Sequence, residues 1–244
     1  MEPLFLLLGI ARKDNKNMDT SLILNYLTDL SQHNDREWYH AHKAEYKEAN
    51  IQFEALVQEL ILRIRNFDNH ILHMEAKDLT FKLVRDTRFS HDKSPYNPAF
   101  RAHIGPKGKL PVPVGYYLMI KPGNQSFLGG GLFADMFKNA TSMIRDSIAE
   151  KGAEWEEIIQ APEFQKMFTV RGTALKRVPT GYDSEHPQAE FLKYKNWYLE
   201  YPICDDIFRD EKAFLAEASR IFQLMKPFND FLNQALKDFQ MPSR

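Results

Sequence analysis

The chain has 244 residues and a single cysteine, Cys204, with 32 Lys plus Arg against 33 Asp plus Glu, a formal charge of −1. With 43% hydrophobic and 27% charged residues it is neither a wholly disordered chain nor a protein that coats nucleic acid by bulk charge. One thiol excludes an intrachain disulfide, a core of this size needs none, and a reducing, cytoplasmic compartment is expected.

The first 17 residues hold an apolar run, Leu4 to Leu8, then Gly9 and Ile10, preceded by Glu2 rather than by a cationic region. The run is far shorter than the ~20 residues of a membrane span and lacks the flanks of a secretory signal. Residues 1–18 read as a poorly ordered tail or an extension upstream of a start at Met18, with a membrane-surface anchor as the alternative. Asp19 caps a short helix carrying Leu22, Ile23, Tyr26, Leu27 and Leu30. Asn34 and Glu37 make a capping-box pair. Behind them Trp38, His42, Tyr46, Ala49, Phe53, Leu56, Leu60, Ile64 and Phe67 predict one long amphipathic helix over 35–67.

From about residue 79 the apolar period drops to two: Leu79, Phe81 and Leu83 alternate with Thr80, Lys82 and Val84, the mark of a half-buried strand. Further strands are expected at 99–105, 114–121 and 124–132, divided by Gly105-Pro106, Pro111, Pro113 and Pro122-Gly123. Connections this short suit antiparallel neighbours, because parallel crossovers need about a dozen residues or more. Met136, Phe137, Ala140, Ile144 and Ile148 resume a helix ending near Gly152, followed by short helices at 153–160 and 162–169 and another near 185–195. A strand at Trp197–Ile203 precedes a last helical stretch, 205–240, in which Pro227 predicts a kink or two abutting helices. Helices on both sides of a run of strands give an α+β fold. It is expected as one domain over 19–240, a mainly antiparallel meander packed by long N-terminal and C-terminal helices.

The neutral total hides a lopsided distribution. Residues 85–109 hold Arg85, Arg88, Lys93, Arg101, Lys107 and Lys109 against Asp86 and Asp92, six minus two, an excess of +4. Lys166, Arg171, Lys176 and Arg177 form a second basic run, while 196–219 carries six acidic groups and two basic ones. Arg85 continues the phase of Phe81 and Leu83, so its guanidinium emerges on the apolar face, where an unpaired charge is costly. Two arrangements meet that cost. One is an ion-pair network with Asp86, Asp92 and a further carboxylate; the other is a cleft in which Arg85, Arg88 and Lys93 hold an anionic ligand. Ser90 and Tyr96, on a loop stiffened by Pro95 and Pro98, would add hydroxyl contacts.

The stretches FKLVRDTRFSHDKSPYNPAFRAHI, GYYLMIKPGNQSFLGGGLF and LKRVPTGYDSEHPQAEFLKYK, with LTDLSQHNDREWYHAHKAEY before them, resemble the domain of unknown function 2461 family. These are uncharacterised conserved proteins of bacteria and some eukaryotes. The resemblance covers about 20–240 and implies one family domain. It marks Arg85, Asp86, Arg88, Ser90, Lys93, Tyr96, Lys176, Gly181 and Tyr182 as signature positions and implies no particular reaction or cofactor.

Gly129-Gly130-Gly131 ahead of a helix can cradle phosphate, or mark a strand that another backbone passes closely. It is not a P-loop, since Lys138 is followed by Asn139. The turn from Leu175 to Asp183 presents Lys176, Arg177 and Tyr182, either closing over the first basic segment or joining two helices. Among the histidines, His40 and His42 fall on different helix faces, His70 and His73 sit in a loop, and no HExxH occurs, so no metal is expected. His186 and His91 are acid–base candidates by residue type. There is no GxSxG, and Cys204 reads as an inert core thiol.

The leading expectation is a cleft for a small anionic ligand such as a phosphoester, whether or not a reaction follows. Arg85, Arg88, Lys93 and Arg101 would form it with Lys176 and Arg177 opposite, and Ser90, Tyr96 and Tyr182 would add hydroxyls. Asp86 would orient the arginines, and in an enzyme Asp86, Asp92 or His186 would move protons while the cations hold developing negative charge. One alternative is a nucleic-acid module stacking bases on Tyr96, Tyr116, Tyr117 and Phe127. Another is a non-catalytic interaction protein using the acidic 196–219 surface, with the Arg/Asp cluster purely structural. No cofactor and no oligomeric state is signalled.

Overall fold

The structure, a computed structural model, describes residues 18–242, so the reading of 1–17 lies outside the described residues. Asp19 accepts the N–H groups of Ser21 and Leu22 at 2.9 and 3.3 Å and opens α1, Thr20–Gln32, which buries Ile23, Leu24, Leu27 and Leu30.

The long helix expected over 35–67 is two helices. Asp35, not Asn34, is the cap: its carboxylate accepts the Trp38 N–H at 2.8 Å and starts α2, Arg36–Ala41. The second, α3, Lys43–Ile64, begins after His42, whose ring stacks on Trp38 at 4.1 Å and bonds the Trp38 carbonyl that the His42 backbone also uses. The apolar period runs through this joint unbroken, so spacing alone does not reveal it.

The alternating stretch at 79–84 is also not a strand. Ala76–Leu79 forms a helical turn, α4, and the residues after it meet β1, Phe100–Ile104, by the bridge from Thr80 to Ala102. Beyond that bridge the chain pairs with its own loop: Arg85 N–H donates to Pro95 O and Asn97 N–H to Leu83 O. The segment peels off the sheet instead of extending it.

The sheet is the expected antiparallel meander. Its order is β1, then β2, Tyr116–Ile120, β3, Ser126–Leu132, and β4, Trp197–Ile203. Between β3 and β4 come α5, Lys138–Glu150, α6, Gly152–Gln160, α7, Pro162–Met167, and α8, Ala189–Leu192. The helix expected at 185–195 shrinks to α8. Pro187 disfavours helical geometry at His186, and the bridge from Tyr194 to Ala174 draws the other end away. After β4 the chain divides at Asp210 into α9, Asp205–Arg209, and α10, Glu211–Ala235, because the Asp210 carboxylate caps α10 by accepting the Ala213 N–H at 3.0 Å. Pro227 lies inside α10, so the division does not fall there.

Helices α3 and α10 cover one face of the sheet. Phe100, Ala102, Ile104, Tyr116, Leu118, Ile120, Leu128 and Leu199 point into that core and are buried. The glycine triplet lies within β3 rather than at a helix start. At Gly130 a Cβ would sit 3.1 Å from Asn229 and Met225 of α10, so the missing side chain lets the helix lie close to the sheet. Arg101, Tyr117, Met119, Phe127, Tyr198 and Glu200 alternate onto the opposite face, where they are half-buried. Among the described residues, no helix is long and apolar enough to cross a membrane.

Candidate functional site

The loop over 83–97 is organised around Arg85. Its guanidinium donates to the Asp92 carboxylate, to Ser94 O at 3.3 Å and to Ser90 Oγ at 3.3 Å, and the side chain is 28% exposed. Asp92 also accepts the Ser94 N–H and hydroxyl at 2.9 and 2.6 Å. Together, Ser94 and Arg85 hold its carboxyl far below the usual carboxylate range. Arg88 forks onto Asp86 at 2.6 to 3.1 Å, and this pair is exposed, with Asp86 held below its ordinary pKa by Arg88. Lys93 Nζ donates to Thr87 O at 3.0 Å. Both carboxylates are therefore ionised at neutral pH, acceptors and not proton donors.

A second segment meets this loop. Asn34, between α1 and α2, donates to Tyr96 O at 2.9 Å and accepts the Tyr96 N–H at 3.1 Å. The Tyr96 ring is buried against Tyr39, centroids 4.1 Å apart, so it contributes a wall rather than a reachable hydroxyl. Between the two segments opens a cleft of about 290 Å³ lined by Asn34, Asp35, Arg36, Arg85, Lys93 and Tyr96, among others. Three cations face one carboxylate, and Asp35 already accepts the Trp38 N–H. Arg36 makes no ion pair among the described residues, and Arg85 uses three of its five N–H donors.

The other expected members lie elsewhere. The 83–97 loop hangs from the β1 edge of the sheet, through the Thr80–Ala102 bridge and the Phe81 N–H bonded to Arg101 O. The second basic segment is fastened at the opposite edge, by bridges from Arg171 to Tyr198 and from Ala174 to Tyr194. Four strands stand between them, so Lys176 and Arg177 do not line the cleft at Arg85. Tyr182 donates to Asp146 at 2.7 Å, and burial together with that bond pushes its pKa up to about 12. Nearby, the buried Arg145 donates twice to Tyr194 O, at 3.1 and 2.7 Å. His186 has both ring nitrogens engaged, with Ala149 O at 3.1 Å and with the Gln188 N–H at 3.0 Å, and braces the turn before α8. Arg88 points to solvent, and Arg101 lies over the Phe81 ring at 5.4 Å on the outer sheet face.

Of the aromatic groups considered for base stacking, Tyr96 and Tyr116 are buried, the latter donating to Asp68 at 2.9 Å; Tyr117 and Phe127 stand on the outer face. In the acidic stretch, Glu200 and Glu217 are ion-paired, Asp210 caps α10, and Asp205 accepts the Gly123 and Asn124 N–H groups. Cys204 is exposed, not a core thiol. A larger cleft, about 430 Å³, lies near the end of α10 with Lys107, Lys226 and Lys237, but Lys226 is tied to Asp230 at 2.5 Å and the other two lysines are exposed. Among the described residues, no group of three or more His, Cys, Asp or Glu can hold a metal ion.

Asn34, Asp35 and Arg36 are among the cleft residues that the sequence pattern does not assign to a site. Asn34 looks like a helix cap and Arg36 like any surface cation; only the bond to Tyr96, 62 positions away, brings them to the loop. The model of a family described as "Conserved hypothetical protein (DUF2461)" matches residues 22–231. No curated protein and no solved structure matches the chain.

Proposed function

The chain belongs to the conserved hypothetical protein family DUF2461, and within that family we propose that it binds a small phosphate-bearing anion in the cleft between Asn34–Arg36 and the 83–97 loop. The observation that carries this reading is the convergence of Arg36, Arg85 and Lys93 on one cavity with a single, already engaged carboxylate. The ion-pair network and the site are then one construction. Asp92, Ser90 and Ser94 hold one edge of the Arg85 guanidinium, fixing its plane, while its two unused donors remain for an anion. The Lys93 ammonium keeps two donors beyond its bond to Thr87, and Arg36 adds a full charge.

Thermal melting with inorganic phosphate, sugar phosphates and nucleotides tests it. A ligand at 100 times its dissociation constant stabilises by about 2.7 kcal/mol. For a chain of this length that is a rise of roughly 5–10 °C in Tm. The double variant Arg36→Met with Lys93→Met should lose the shift while its ligand-free Tm stays within about 4 °C of wild type, as surface changes of this kind do. No shift with any of these anions, or an undiminished shift in the double variant, rejects the reading.

A further inference from the structure

The sheet face turned away from α3 and α10 carries its own cavity, about 250 Å³ in volume. Strand register sets a row across it: His103 opposite Tyr117, Tyr117 opposite Gly129, and Gly129 opposite Glu200. Side chains alternate along a strand, so these positions share one face. At Gly129 the missing side chain admits the Phe133 ring, whose edge lies 2.8 Å from where a Cβ would be, so an aromatic ring fills the middle of the row. Phe127 and Phe133 flank Tyr117, centroids 5.7 and 5.3 Å away, and give the cavity aromatic walls.

His103 supplies the polar signal. It is only 7% exposed and lines the cavity. Its Nδ1 lies 3.0 Å from Gly108 O, and a carbonyl only accepts, so Nδ1 carries the proton and Nε2 is an acceptor. Nε2 has no hydrogen-bond partner among the described residues, and burial lowers the ring's pKa, which keeps it neutral at pH 7. At the other end of the row, Glu200 gives one oxygen to Arg171 at 2.8 Å and keeps the other. Lys109, on the rim, retains donors beyond its bond to Thr80 O. Aromatic walls call for a flat ring, the free His103 acceptor calls for an N–H donor on its edge, and the ammonium matches an acceptor. The volume falls below the roughly 300–1,000 Å³ of sites for drug-sized ligands, which limits the guest to one or two fused rings.

We propose that this cavity binds a planar nitrogen heteroaromatic ring bearing N–H donors, as in a purine base. The ring would come from a free nucleoside-like molecule or from an unpaired base of a single strand; the chemistry recognised is the same. Calorimetric titration of the full chain with benzimidazole, adenosine and a five-residue oligoadenylate tests it. Saturable binding is expected, weakened tenfold or more by Phe127→Ala and by His103→Asn, with thermal melts establishing that each variant is folded at the assay temperature. Equal affinity for adenosine and the oligonucleotide assigns the site to small molecules; a tighter, salt-sensitive oligonucleotide assigns it to single strands. Should His103→Asn fail to fold, Tyr117→Leu replaces it beside Phe127→Ala. The proposal is overturned if none of the three probes binds saturably at millimolar concentration, or if binding survives both substitutions unchanged. These probes include uncharged molecules, so their failure leaves the anion cleft untouched, and the reverse holds for phosphate.

Discussion

The Asp92 carboxylate accepts from Arg85 and twice from Ser94, and its pKa is depressed well below that of a free aspartate. A depressed folded pKa contributes stability that is present above the unfolded value of about 3.9 and is lost as pH falls through the folded one. The Asp92 side chain is 60% exposed, so the effect is modest and salt-sensitive. In melts from pH 5 down to pH 2, wild type should lose Tm more steeply than Asp92→Asn; equal slopes contradict the assignment. His103 acts in a higher window. Burial lowers its folded pKa below about 6.5, so the unfolded chain binds more protons between the two values, and stability rises with pH and is complete above the unfolded value. The urea midpoint should fall from pH 7.5 to pH 5.5, and His103→Gln should flatten that slope. At this scale residue type is informative: Arg85 is half-buried and its guanidinium is met by three acceptors. Which acid meets which arginine is not legible: Asp86 adjoins Arg85 in sequence yet pairs with Arg88, and Asp92, seven positions on, reaches Arg85 because the Arg85 N–H bond to Pro95 O folds the loop back.

Among the elements, asparagines tie segments that spacing does not connect. Asn34 holds Tyr96 by both its backbone groups, and Asn233 does the same for Val114, at 2.8 and 3.0 Å, locking α10 to the approach to β2. Two hydrogen bonds at about 0.5–1.5 kcal/mol each predict that Asn34→Ala costs about 1–3 kcal/mol. That is a Tm lower by roughly 2–12 °C. The same variant should lower affinity for the anion, because Arg36 is no longer held beside Arg85; an unchanged melt and unchanged binding would contradict the clasp. Periodicity located most elements, and the meander followed from short Pro- and Gly-bearing connections. It missed the joint at His42, where the apolar stripe is continuous. It overreads 79–84, where alternation reflects one buried flank, Leu79 and Leu83, on a segment that meets β1 only at Thr80 and Phe81 and then bonds its own loop.

For the whole molecule, the core lies between the sheet and α3 with α10, and it extends to Trp155, which is fully buried against Phe228 and Phe231. Trp155→Ala should cost about 3–5 kcal/mol, a Tm drop of roughly 6–20 °C, read by thermal or urea unfolding. The lopsided charge behind a net −1 also belongs to this scale. Two basic segments invited a single site, yet they hang from opposite edges of a four-stranded sheet, an outcome fixed by tertiary pairing and invisible to local composition. What gathers at the 83–97 loop is a smaller set, with Arg36 added and Lys176 and Arg177 removed.

The most direct measurement is a backbone amide shift titration of the full chain with inorganic phosphate and a sugar phosphate. Saturable perturbations are expected, centred on residues 34–36 and 84–96, with 171–182 and the lysine-lined cleft at the end of α10 unaffected. Perturbations confined to Lys107, Lys226 and Lys237, or none that saturate, would contradict the proposed anion cleft.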